Sequence, residues 1–294
     1  MVPVKLAVSK GFTLIELVTV IVVLGIVSIG ISGFLRSGMQ IYADANERQQ
    51  ILSESRFAVE RMNRELRGAI PNSVRLKHDL LTEIQCLEFV PALWVSFYTT
   101  LPLTSSATQA RIVEYAGNNN QFSVQNGDFA FVYPTDNDDI YDATEQKRRT
   151  VLSCSDAIDA DDDGNPDGDG DCDTADSTSH TAELTLSGHF DDNSPASRMY
   201  FGRKTISFCA RTENGKQGIY RHEGTISTIQ ELYDDGGDLM AQHLVNDLSD
   251  SSQLPFAISN AVLNRNALVH LLLTFELNEE QMNYSIEVHI PNVP

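Results

Sequence analysis

The chain has 294 residues, 41% of them hydrophobic, which is enough for one large or two modest packed domains and excludes a disordered tail. Its 21 Lys and Arg stand against 41 Asp and Glu, and a net charge of -20 argues against an electrostatic grip on nucleic acid phosphates, so no nucleic acid partner is expected. Ten of the acids fall in one stretch without Lys or Arg, Asp156 to Asp176, so much of the acidity is local.

The first element is an apolar run. From Phe12 to Leu35 there are 24 residues in which only Glu16 is charged, roughly 36 Å of helix at about 1.5 Å per residue, enough to cross a bilayer core of about 30 Å. A secretory signal would use Lys5 and Lys10 as its charged region and Ala43-Asp44-Ala45 as its cleavage site, but such signals have shorter apolar cores. A plain signal anchor would keep the lysines cytoplasmic and place the bulk of the chain outside, which explains the topology and leaves Glu16 unexplained. A carboxylate in a span costs ~2.5–3.5 kcal/mol on insertion scales, so it is ordinarily kept for a function and given a partner.

Lys10-Gly11-Phe12-Thr13-Leu14-Ile15-Glu16, followed at once by the apolar helix, resembles the N-terminal signal of type IV pilins and pseudopilins. The resemblance implies that a prepilin peptidase cuts between Gly11 and Phe12, that Phe12 is N-methylated, and that residues 1–11 are a leader. It further implies a single-pass protein of a bacterial inner membrane with its head in the periplasm. From there it would be drawn by an inner-membrane assembly platform into a pilus at the cell surface, alongside other pilin subunits met through the N-terminal helix. Cleavage would put a cationic amine on Phe12, and Glu16 would neutralise it, within a chain across one helical turn or, as the resemblance implies, between neighbouring subunits. Glu16 is thus expected to be an assembly contact, with residues 12–35 as the transmembrane and assembly helix. Gly25, Gly30 and Gly33 occupy the stretch in which many major pilins carry a proline.

Beyond the span, Tyr42, Ala45, Leu52, Val59, Met62 and Leu66 recur at steps of three, four and seven. They predict an amphipathic continuation over residues 36–70 that packs on a head, with Glu60 and Arg64 paired one turn apart and Gly68 and Pro71 as the stop. From residue 71 the pattern becomes short β-type runs. Asn126-Gly127 and Asn214-Gly215 each sit between alternating segments and predict two hairpins. Further strands are expected at Cys86 to Val90, Arg111 to Tyr115, Glu183 to Phe190, Leu268 to Leu277 and Tyr284 to Ile290, and a short helix at Leu239 to Leu248. The expected fold class is α+β: a long N-terminal helix on a mainly antiparallel sheet in a pilin-like head, residues 71–294, with an acidic insert at 154–176.

In that insert Asp159, Asp161, Asp163, Gly164 and Asp167 match positions 1, 3, 5, 6 and 9 of a calcium loop of EF-hand type, and the stretch also looks like the aspartate-rich repeats of thrombospondin type 3 modules. Position 12 is Gly170, so Asp169 or Asp171 would have to close the shell around Ca²⁺. The alternative is a solvated acidic loop that binds nothing. Spacing alone allows three pairings of the four cysteines; Cys154 and Cys172 bracket the insert, where a bridge would close the loop and hold its carboxylates together, and Cys86 and Cys209, each in an expected strand, would form the other pair. The seven histidines are scattered, and neither HExxH nor GxSxG occurs, so no enzyme is indicated. FAVERMNRELRGAI, Phe57 to Ile70, and the ending EVHIPNVP are similar to large minor pilins and to J-type pseudopilins. That similarity implies a non-catalytic minor pilin that joins or primes a pilus, with a pseudopilin of type II secretion or a calcium-dependent adhesin head on a pilin mount as alternatives.

Overall fold

The structure, a computed structural model, describes residues 12–113, 124–156, 181–259, 267–278 and 280–290. The chain forms two compact units, Met1–Leu52 and Ser53–Pro294. One helix, α1 (Leu14–Arg67), runs through 54 residues, about 81 Å at about 1.5 Å per residue. It stops where the sequence loses its helix formers: the N–H of Gly68 bonds the carbonyl of Glu65 and that of Ala69 bonds Leu66, tightening the last turn before Pro71.

In the second unit the last turns of α1 bury Ser55, Ala58, Val59, Met62 and Leu66. These residues recur every three to four positions, so they form one face. The expected stripe begins later than its periodicity suggests, because Tyr42 and Ala45 are exposed. The expected Glu60–Arg64 pair is not formed. Both side chains face outward, and one position along, Arg61 Nε reaches Glu65 at 2.8 Å because Glu65 is held from the other side by Arg221.

The strands in chain order are β1 (Arg75–Asp79), β2 (Ile84–Phe89), β3 (Trp94–Thr100), β4 (Gln109–Val113), β5 (Phe129–Val132), β6 (Arg148–Asp156), β7 (Thr181–Leu186), β8 (Arg198–Gly202), β9 (Thr205–Glu213), β10 (Lys216–Gly224), β11 (Asp238–Gln242), β12 (Phe256–Ser259), β13 (Ala267–Leu277) and β14 (Glu280–Ile290). A short helix, α2 (Asp138–Tyr141), precedes β6. Five strands make one antiparallel sheet in the order β1-β2-β9-β10-β11, and β12-β13-β14 make a second. The fold is α+β, as expected. Buried Gln85 ties the two sheets: its amide donates to the carbonyl of Phe256 and accepts from the same residue's N–H, imitating a ladder partner.

Between β2 and β9, which are neighbours in the first sheet, the chain makes a closed six-stranded antiparallel barrel, β3-β4-β7-β6-β5-β8. Its strands alternate. In β7 Ala182, Leu184 and Leu186 point inward and Thr181, Glu183 and Thr185 do not. Phe190, Met199 and Phe201 help fill the interior, so the barrel is packed rather than hollow.

Two local expectations fail for nonlocal reasons. Asn126-Gly127 does turn the chain, with Gly127 at φ 96, but the strand after it, β5, has β6 on one edge and β8 on the other, so no hairpin with the preceding segment can form. Leu239 to Leu248 is not a helix; Asp238–Gln242 pairs with β10 as an edge strand. By contrast, Asn214 (φ 53) and Gly215 (φ 75) close the β9–β10 hairpin with two residues in the left-handed region, as a primed turn demands.

Candidate functional site

The apolar part of α1 is the feature for which the rest of the chain offers no explanation. Its large side chains stand outward all round, with Leu14 at 84%, Ile29 at 77% and Phe34 at 77% exposure. A surface of that size is covered by lipid or by other protein. By length and composition α1 can cross a membrane. Two of its hydroxyls bond the helix itself: Thr19 donates to the carbonyl of Glu16 at 2.9 Å and Ser32 to that of Ser28 at 2.8 Å, so neither of these is left unpaired in an apolar setting.

The start of the helix explains part of Glu16. Thr13 precedes the first helical residue and its Oγ1 accepts from the N–H of Glu16 at 3.4 Å, while Leu17 bonds the carbonyl of Thr13 at 3.2 Å. Thr13-Leu14-Ile15-Glu16 thus has the spacing of a capping box, with an acid in the first turn where the helix dipole favours it. That signal is legible in the sequence and adds a local reason for an acid at this position. The carboxylate itself has no hydrogen bond or ion pair among the described residues and is exposed.

Phe12 is 79% exposed at the head of this helix; Gly11 lies outside the described residues. So do Asp159, Asp161, Asp163, Asp167, Asp169, Asp171 and Cys172. The described ends of the acidic insert are β6 and β7, antiparallel neighbours with Asp156 opposite Ala182, so the insert is the connection between two barrel strands. Cys154, in β6, is half-buried and disulfide-bonded. Cys86 and Cys209 sit opposite each other on β2 and β9 and form a disulfide. Among the described residues no group of three or more His, Cys, Asp or Glu could hold a metal ion.

The head also carries charged clusters that periodicity could not reveal, because their members come from distant strands. Arg61, Glu65, Arg221, Glu223 and Lys204 form a chain of ion pairs from α1 across β10. Lys204, and next Arg221, hold the Glu223 carboxyl below its usual range. Glu88 is buried and its pKa is pushed up by burial, against the opposing pull of Arg75, whose guanidinium it binds while also accepting from Ser207 at 3.1 Å. These pairs tie α1 and the strands of the first sheet together.

Residues 7–32 match the family model of the prokaryotic N-terminal methylation motif. The match supports a type IV pilin-like protein. It implies processing by a prepilin peptidase and assembly with pilus machinery, and together with the apolar helix it fits membrane anchoring. No curated protein and no solved structure matches the chain.

Proposed function

We propose that the chain is a non-catalytic minor pilin, cut between Gly11 and Phe12, methylated on Phe12, and joined to other pilin subunits through its N-terminal helix. The observation that carries this reading is an exposed carboxylate, Glu16, with no partner among the described residues, inside an apolar helix whose own large side chains are exposed. A free amine on Phe12 of a neighbouring subunit is the partner that would relieve it. The size of the chain, its cysteines, and the similarity of FAVERMNRELRGAI and EVHIPNVP to large minor pilins point to the O component of the mannose-sensitive haemagglutinin (MSHA) pilus. A bulky head fits a filament tip better than a repeating shaft, and the head would then contribute to adhesion. The acidic insert, with Asp159, Asp161, Asp163 and Asp167 at calcium-loop spacing, would bind Ca²⁺ there. The same anchor would serve a J-like pseudopilin of type II secretion.

N-terminal sequencing of membrane-extracted protein tests the processing: a methylated Phe12 start is expected, and a start at Met1 or Ala45 removes the reading. Glu16→Val should leave cleavage intact and abolish incorporation into filaments; normal incorporation would sink the role given to Glu16. Calorimetric titration of the full chain with calcium should show a saturable site below millimolar, and its absence would remove the calcium reading alone.

A further inference from the structure

The face of the first sheet turned away from α1 is covered by chain without regular structure. Cys86, Cys209 and Tyr220 are ladder partners across β2, β9 and β10, so they share a face, and Arg211 and His222 lie two residues along on the same face. Arg221, between Tyr220 and His222, points the other way and binds Glu65 of α1. Residues 225–237, which connect β10 to β11, run over the outer face as a strap. Leu232 and Tyr233 of this strap pack on Ile84, Cys86 and Cys209, and neither cysteine of the disulfide beneath them has any exposure.

The two halves of the strap are held by different chemistry. In residues 225–230 the anchors are lasting cations and an amide: Arg75 donates to the carbonyls of Ser227 at 2.8 Å and Thr228 at 3.0 Å, Lys77 to that of Gln230 at 2.8 Å, and the buried Gln230 amide to the carbonyl of Cys86 at 2.9 Å. In residues 231–237 the anchors converge on one neutral ring. Tyr233 stacks on His222 with centroids 4.2 Å apart, and Arg211 holds the carbonyl of Gly236 at 2.8 Å while donating to Nε2 of His222 at 3.1 Å. Around that ring stand Arg211 and Glu213 from β9, Tyr233 and Asp235 from the strap, and Asp238 from β11. A proton on Nε2 removes the acceptor and sets a second cation against Arg211. The three acids favour that proton, but by less than burial and Arg211 oppose it. Glu231 of the strap also faces Glu88, a repulsion that acid relieves, with the opposite sign.

We propose that residues 231–237 are an acid-released cover over the Cys86–Cys209 disulfide, latched by the neutral His222 ring, with residues 225–230 as the fixed end from which the cover lifts. A histidine in the open state titrates at about 6.5, so the latch is complete above that value and is lost as pH falls through the lower value of the closed state. Protonation displaces Arg211 from Nε2, Gly236 loses its donor, and Tyr233 leaves the ring as water reaches it. Lifting then bares both sulfurs and Ile84, while the α1 face of the same sheet keeps its packing. Acid thereby turns a sealed sheet face into one that presents Leu232, Tyr233 and a reducible bond.

The test measures reduction of that disulfide in the full chain, in mild detergent, by a water-soluble trialkylphosphine. Phosphorus attacks one sulfur, the S–S bond breaks, the other sulfur leaves as a thiolate that takes a proton, and water releases the second thiol with the phosphine oxide. Cysteines freed at pH 7.5 and at pH 5.0 are alkylated and read peptide by peptide by mass spectrometry. The half-buried Cys154 disulfide is the internal reference for the reagent's own pH dependence. Relative to it, the Cys86–Cys209 bond should be cut about tenfold faster at pH 5.0, within the roughly 30-fold ceiling for one histidine that titrates at about 6.5 when open. His222→Gln should remove the acceleration, and Tyr233→Ala should give fast cutting at both pH values. The strand signal in circular dichroism should be unchanged at pH 5.0. Equal rates at the two pH values overturn the proposal, as do an acceleration that survives His222→Gln and a Tyr233→Ala chain still protected at pH 7.5. Acceleration accompanied by loss of the strand signal also overturns it, because the whole head has then unfolded.

Discussion

Arg211 is 1% exposed, and its guanidinium is held by Glu213, by the carbonyl of Gly236 at 2.8 Å and by the face of Tyr220 at 3.8 Å. Its Nη1 donates to Nε2 of His222 at 3.1 Å, which requires a neutral imidazole there. His222 is itself 6% exposed and stacked on Tyr233 with ring centroids 4.2 Å apart. Burial first, and then Arg211, push its pKa down, against the smaller opposite pull of Asp235, Glu213 and Asp238. A depressed folded-state pKa means that the unfolded chain binds the proton more readily. The stability this histidine contributes is therefore complete above the unfolded value of about 6.5 and is lost as pH falls through the folded one. Glu88, with a pKa raised by burial, has the opposite sign and opposes the histidine, which is why the His222 variant is the deciding comparison. The melting temperature should therefore drop between pH 7.5 and 5.5, and His222→Gln should flatten that slope. An unchanged slope in the variant would refute the assignment. Gly237 belongs to the same cluster: at φ 77, an added Cβ would lie 2.5 Å from Cε1 of His222 and 2.8 Å from the carbonyl of Arg221. None of this was legible in the scatter of the seven histidines, because the residues that bury the His222 ring come from β9 and from the segment before β11.

Among the elements, α1 was the most legible, since a helix writes its faces into local spacing. Glu16 and the apolar run stood out by charge, and Val59, Met62 and Leu66 by period. What spacing could not supply was the point at which the head begins to cover the stripe. Met62 and Leu66 have no exposure and Tyr42 is 76% exposed, although all three belong to the same period. Leu66→Ala should cost about 2–5 kcal/mol of head stability, while Tyr42→Ala should cost less than about 0.5 kcal/mol. Thermal or denaturant unfolding followed through the strand signal decides it, and equal effects would mean that the stripe is buried uniformly. The β9–β10 hairpin was also legible, because two adjacent residues with φ above zero demand Asn-Gly or its like. Asn126-Gly127 carried the same signal and turned out differently. A turn specifies where the chain reverses, and both edges of β5 were taken by strands distant in sequence.

At the scale of the molecule, the barrel is what the sequence concealed. Closure depends on pairs such as Trp94 with Phe201 and Ile112 with Ala182, which no window of a dozen residues contains. Yet the barrel enters and leaves the first sheet at one place, because Phe89 and Ile206 are ladder partners and the Cys86–Cys209 disulfide lies three residues inside that point. Topologically it is an insertion in a β-hairpin, and a short turn can bridge what remains. The seam is not free of contacts. Ile70, Val90 and Ile226 pack on Phe131, Ile140 and Tyr200, Arg75 lies 3.5 Å over the ring of Tyr141, and the Tyr141 hydroxyl donates to the carbonyl of Ser73 at 2.7 Å. Replacing residues 92–203 by Asn-Gly should therefore give a chain that still folds and still forms the Cys86–Cys209 disulfide, with a melting temperature lower by roughly 5–15 °C as those apolar side chains meet water. Circular dichroism and mass spectrometry under non-reducing conditions follow both outcomes. An unfolded or reduced product would show that the five-stranded sheet depends on the barrel to close. A folded one would place the buried end of α1 and the disulfide in one unit and leave the barrel, with its acidic connection between β6 and β7, as the part free to change what the head meets.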